Sequence, residues 1–349
     1  MRQLRESSRI FPWLGAWLGA AIACAAGAGC LGDIVGDDGA ADAPSSDPGS
    51  VTLAFRAPIA GSDHVRDAVA DTGALAAAID VALAVSGAPA RLELRAGDRA
   101  IEIDASRRAT AYLADDGDAT LTATAYDAAG APIATASVAV HVRAPDVADC
   151  HGWLDLYRID YRVGPSADGV ADPVTLTPPI NGVAYRYLTN TAPRATFFMD
   201  CSLARTLAAA APLLRARGIT EVADLGVYNY RCIAGRGTPP DCEVGLSQHA
   251  FATALDIAGV TDAAGVYYSV NDDWVIDPPA EPTCAAATEP GKDRFLHELV
   301  CSLKAAGLWH IMLTPNYNAE HRNHVHVDLT PGADSVRSRG AVDVGADNH

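Results

Sequence analysis

The chain has 349 residues, 49% of them hydrophobic, which is more than one core requires, since single domains run to roughly 100–200 residues. Its 43 acidic and 26 basic residues give a formal charge of -17, which repels a phosphate backbone and argues against nucleic acid as a partner.

In chain order, Arg2, Arg5 and Arg9 precede a mostly apolar stretch from Ile10 to Ala28 that ends in small residues, the pattern of an export signal over residues 1–30. Cys30 follows Gly27, Ala28 and Gly29 and precedes an acidic tether, so the segment resembles a bacterial lipoprotein signal with Cys30 as lipid anchor. The usual leucine three positions earlier is missing, and an ordinary signal peptide is the alternative. Either reading exports the chain, to the periplasm or the cell surface, with membrane contact only through the lipid. No other apolar run approaches the roughly 20 residues of a membrane span. Residues 31–50 are rich in Gly, Ala, Asp, Ser and Pro, too poor in large apolar groups to offset the entropy of ordering, and are expected to form a flexible linker.

From 51 to 145 the apolar residues alternate: Val51, Leu53 and Phe55; Ile79, Val81, Leu83 and Val85; Leu92 and Leu94; Ile101 and Ile103; Val138, Val140 and Val142. Period two means half-buried strands, and the turn signals at Gly87, Asp115–Gly117 and Asp127–Gly130 are spaced as in an antiparallel sandwich. The segment resembles the Ig-like domains of bacterial surface proteins, with Leu121–Tyr126 and Ile133–Val142 as closing hairpin. His64 and His141 stand alone and read as structural.

Residues 146–335 mix element types. Asp200 is placed to cap a helix from Cys201 to about Arg217, stopped by Gly218; Val222–Tyr230 reads as a strand; a second helix spans about Asp293–Ala306 before Gly307. Leu308–Leu313 and His324–Leu329 read as strands, which makes this an α+β domain with a small antiparallel sheet and flanking helices. Residues 336–349 are expected to be a disordered tail. Beyond Cys24 and Cys30, the six cysteines Cys150, Cys201, Cys232, Cys242, Cys284 and Cys301 suggest three disulfides in an exported chain. Of these, Cys232 and Cys242 flank a Gly/Pro-rich loop and are the easiest pair to close. No CxxC pair is present to suggest zinc thiolates.

Three pieces gather metal-ligand residue types: Ser247-Gln-His249, Ala254-Leu-Asp256, and His321-Arg-Asn-His324-Val-His326-Val-Asp328. On a strand the last piece puts His324, His326 and Asp328 on one face and Val325, Val327 and Leu329 on the other. A catalytic zinc keeps three protein ligands and one open position, which this count fits. His151, His297 and His310 read as structural, and the pairs Asp115-Asp116 and Asp272-Asp273 as solvated turns.

The run from Ser247 to Asp256 resembles the SxHxxGxAxD motif, and His324-Val-His326 the HxH motif, of the D-alanyl-D-alanine carboxypeptidase and lysostaphin-type zinc metallopeptidases. The closer resemblance is to the extensin-like C-terminal domain family, through Tyr228-Asn-Tyr230-Arg231-Cys232, Ala264-Gly-Val266 with Trp274, Cys301, and the final His321, His324, His326 and Asp328. It covers about Cys150 to Leu329, and the family glycine is Ala252 here. The resemblance implies zinc held by His249, Asp256 and His326, with His324 as base or electrophilic partner and Arg231 binding a substrate carboxylate or the developing oxyanion. Related carboxypeptidases carry a glutamate base at the position of Asn323, so His324, then His321, is the better choice, Glu320 being differently spaced. Asp328 is expected to orient an imidazole and Ser247 to cap a turn or orient His249. The implied activity is hydrolysis of peptidoglycan peptides or a similar envelope substrate. The other reading is a non-catalytic envelope-binding or structural lipoprotein.

Overall fold

The computed structural model describes residues 50–278, 281–333 and 335–337. The export signal, the linker up to 49 and the tail beyond 337 lie outside the described residues.

Alternation across residues 52–143 produces a two-sheet sandwich. One sheet joins Thr52–Ala57, Leu75–Ser86, Ala68–Val69 and Arg108–Leu113; the other orders Ser62–Val65, Pro132–Arg143, Gly117–Tyr126, Arg91–Ala96 and Arg99–Ile101. The pairing is antiparallel except where Ser62–Val65 runs parallel to Pro132–Arg143. Leu75–Ser86 carries the logic of the layer. Ile79, Val81 and Leu83 are buried while Ala78 and Asp80 face water, and the buried set meets Leu121, Val138 and Val140 in one core.

A second core, sharing no residue with the first, begins at Leu154. It packs beneath a seven-stranded sheet ordered Ala184–Tyr187, Ile219–Asp224, Ala254–Asp262, Val325–Asp328, Ile311–Leu313 and Ser335–Arg337, with Tyr267–Ser269 also on Ala254–Asp262. The sheet is mixed, not antiparallel as expected. Ala184–Tyr187 runs parallel to Ile219–Asp224, and Ile311–Leu313 parallel to Ser335–Arg337. Parallel neighbours need a long crossover, and for the first pair the helix Cys201–Ala216 lies in it. The last strand takes residues 336 and 337 out of the expected tail. Tyr161–Val163, Pro173–Leu176 and Phe197–Asp200 form a smaller antiparallel sheet.

Asp200 caps the helix Cys201–Ala216 by accepting from Ser202 N–H, and Leu203, Leu207, Ala210 and Leu214 point inward as their spacing predicts. The helix Lys292–Ala305 buries Leu296, Leu299, Val300 and Leu303. Among the described residues, three disulfides join Cys150 to Cys201, Cys232 to Cys242 and Cys284 to Cys301. The strand expected over Val222–Tyr230 stops at Asp224. There the ladder shifts register, Gly226 takes φ 126°, and the fully buried Asp224 carboxylate turns to Arg194, whose Nε donates at 2.9 Å. Arg231 therefore sits on a loop. The other two strands are shorter than read, Ile311–Leu313 and Val325–Asp328.

Candidate metal centre

Three elements bring His249, Asp256 and His326 together. Ser247 opens a short 3-10 turn over Gln248–Phe251, its hydroxyl accepting the His249 backbone N–H at 3.3 Å. Ala252 ends that turn in the left-handed region at φ 54°, which favours glycine and accounts for the glycine in the motif it resembles. The chain then enters the strand Ala254–Asp262. In its antiparallel pairing with Val325–Asp328, Asp256 stands directly opposite His326, so both side chains share one face. The loop after Asp224 closes the other side, where the Val227 carbonyl meets the His249 ring and Asn229 N–H donates to the His249 carbonyl.

His326 Nδ1 lies 2.8 Å from Asp256 Oδ1 and 3.2 Å from His249 Nε2, and His249 Nε2 lies 3.2 Å from Asp256 Oδ1. These three ligand atoms fall within 4.8 Å of one another. The outer nitrogens are already engaged. His249 Nδ1–H donates to the Val227 carbonyl at 2.8 Å, and His326 Nε2–H donates to Asp328 Oδ2 at 3.0 Å. What remains inside is one lone pair on each neutral imidazole and a carboxylate oxygen. Three acceptors cannot satisfy one another without a shared proton or cation, which makes the trio a candidate metal-binding arrangement. Imidazole and carboxylate donors in this number suit zinc.

Without a metal a proton serves instead. Burial favours neutral His326, but the Asp256 and Asp328 carboxylates outweigh it and raise its pKa to about 9. Burial likewise opposes charge on Asp256, yet hydrogen bonding by His249 and His326 holds its carboxyl far below the usual range.

His324 is also brought in, with Nε2 at 3.5 Å from Asp256 Oδ1 and Nδ1 at 2.8 Å from the Asn323 side-chain oxygen. Burial lowers its pKa, and the charges of His326, His249 and Arg231 lower it further against the pull of Asp256. The His321 ring lies 5.0 Å from that of His324 and 6.1 Å from that of His326; burial first, then those two histidines, bring its pKa down to about 4. Arg231 acts on both rings through its charge, from a loop whose backbone carbonyl accepts Ser247 N–H at 3.0 Å. Glu320 is exposed on the turn before His321.

The remaining histidines among the described residues have other partners. His297 is buried against Trp274 and lies 3.1 Å from both Asp277 Oδ1 and Asp293 Oδ1, His310 donates to the Thr330 carbonyl, and His151 pairs with Asp172. In the sandwich, His141 pairs with Asp118 and His64 with Ser62. Asp272 and Asp273 lie in the short helix Val270–Asp273 rather than in a turn: Ser269 is its N-cap, and the Ser269 hydroxyl and N–H donate to the Asp272 and Asp273 carboxylates. Two groups with clear roles were not among the expected site residues. The Val227 carbonyl carries no side-chain signal at all, whereas Asn318 shows one in the pattern of a cap three residues before His321.

Residues 164–337 match the family model described as Extensin-like protein C-terminus, so this part of the chain is an extensin-like domain. Among solved structures, the chain is similar to fibronectin(III)-like modules of Clostridium thermocellum CbhA, at 21% identity over 28% of this chain and 99% of that one, with a TM-score of 0.22. It is also similar to the Bacteroides ovatus mixed-linkage glucan utilization locus protein SGBP-B in complex with a mixed-linkage heptasaccharide, at 11% identity over 61% of this chain and 42% of that one, with a TM-score of 0.20. The curated proteins give no match.

Proposed function

We propose that the extensin-like domain is a zinc-dependent hydrolase of the bacterial cell envelope that cleaves peptidoglycan peptides, exported by its N-terminal signal and tethered by lipid at Cys30. One observation carries this reading: ligand atoms of His249, Asp256 and His326 converge within 4.8 Å, while the outer ring nitrogens of both histidines are engaged by Val227 and Asp328. When bound there, zinc would polarise a carbonyl and bring the pKa of a bound water to about 7. Asp328 keeps His326 turned with Nδ1 inward, and Val227 does the same for His249 Nε2. His324 stands beside the trio as proton acceptor, kept neutral by burial, and Arg231 is the nearby cation for a carboxylate or oxyanion. Peptidoglycan peptides are the favoured substrate because the resembling carboxypeptidases and lysostaphin-type enzymes cut such bonds.

The position of His324 also supports a second reading. At 3.5 Å from Asp256 Oδ1 its Nε2 is near enough to serve as a fourth ligand, and a four-ligand zinc site is closed and structural, as in a non-catalytic envelope lipoprotein. Metal content and muropeptide turnover of the full chain separate the two. On the hydrolase reading His326→Ala loses both, while His324→Ala keeps its zinc and loses about 10² to 10⁴ in rate. Release of zinc by His324→Ala, with no product from the wild type, decides for the closed site.

A further inference from the structure

A histidine's tautomer is set by what its ring nitrogens meet, and for His321 a backbone contact decides it. Asn318 begins the turn Ala319–His321, and its Oδ1 accepts the backbone N–H of His321 at 3.1 Å. A backbone N–H only donates, so the atom facing it is the amide oxygen and not the amide nitrogen. The same Oδ1 lies 2.6 Å from His321 Nδ1, which must then be the protonated nitrogen. A neutral imidazole carries one ring proton, so Nε2 keeps its lone pair. Nε2 has no hydrogen-bond partner among the described residues, while the half-buried ring is held edge-on against Tyr317 at 5.4 Å. His324 differs: Asn323 meets its Nδ1 at 2.8 Å with no second contact to orient the amide, so either end fits.

We propose that Asn318 is a positioning residue that holds the proton on His321 Nδ1 and so makes Nε2 a standing hydrogen-bond acceptor for the N–H of a peptide substrate, beside the His249–Asp256–His326 trio. This rests on the hydrolase reading for its substrate but not for its tautomer. With the tautomer reversed, His321 would turn an N–H toward the substrate N–H, and binding would weaken.

The test is ¹⁵N NMR of the His321 ring in the full, metal-free chain at pH 8, where an unperturbed imidazole is neutral; its signals are identified by their loss in His321→Gln. Wild type is expected to show Nδ1–H. Asn318→Asp, which retains the acceptor, should show the same, and Asn318→Ala should move toward Nε2–H. In the zinc-loaded chain, Asn318→Ala should raise KM for muropeptides by about tenfold, the scale of one lost hydrogen bond, with Asn318→Asp restoring it. Nε2–H in the wild type, or Nδ1–H persisting in Asn318→Ala, overturns the role of Asn318 whether or not the protein is an enzyme. An unchanged KM in Asn318→Ala overturns the substrate contact alone.

Discussion

At the residue scale, His326 lies between two carboxylates, Asp256 at 2.8 Å on one nitrogen and Asp328 at 3.0 Å on the other. The pair explains why this ring holds its proton up to about pH 9 in the metal-free chain. The consequence for stability has a definite sign. A folded pKa raised above the unfolded value of about 6.5 stabilises fully below pH 6.5, and that contribution is lost as pH rises through 9. His321 has the opposite sign, its folded pKa lowered to about 4, so its contribution is lost as pH falls from 6.5 through 4. The metal-free chain is therefore expected to be most stable near pH 6.5, and thermal melts across pH 4 to 9 in chelator check it. His326→Gln should flatten the alkaline limb; a limb that persists there would assign it to another group. Ala252 supplies a second prediction at this scale. Its left-handed backbone costs about 1–2 kcal/mol relative to glycine, while its buried methyl contributes about 0.8 kcal/mol and spares the extra unfolded-state freedom of glycine. These terms nearly cancel, so Ala252→Gly should stay within about 1 kcal/mol of wild type by denaturant melts.

Elements decide which residues the sequence could assign. Asp256 and His326 were singled out through the resemblance to the SxHxxGxAxD and HxH motifs, whereas the register that sets them opposite one another is seen only in the structure. Asp200 was legible as a helix cap by residue type alone. The path of residues 225–231 was not, since Val222 to Tyr230 alternates well enough for a strand and only the buried Asp224–Arg194 pair and the turn at Gly226 break it. The orientation of His249 depends on that break, through a main-chain carbonyl that no side-chain pattern encodes. The disulfides give the element-scale prediction. Cys232–Cys242 closes a separation of 10 residues and Cys150–Cys201 one of 51, so chain entropy makes the second the stronger restraint, both falling at about 2–5 kcal/mol. Cys232→Ser with Cys242→Ser should lower the melting temperature less than Cys150→Ser with Cys201→Ser. Zinc content should stay at the wild-type level in the first pair, because neither cysteine is among the three ligands.

On the scale of the whole molecule, two hydrophobic cores share no residue, and all three ligands belong to the second part of the chain. A metal that binds only the folded site stabilises by mass action, about 2.7 kcal/mol at a hundredfold excess over Kd. In a domain of this size each kcal/mol moves the melting temperature by about 2–4 °C. Differential scanning calorimetry of the chelated chain should accordingly resolve two transitions, one for the sandwich and one for the extensin-like domain. Saturating zinc should raise only the latter, by about 5–11 °C, and His326→Ala should abolish the rise while leaving the sandwich transition in place. A single transition moved as a whole by zinc would mean that the two cores unfold together, and equal shifts in His326→Ala and wild type would place the stabilising metal somewhere other than this trio.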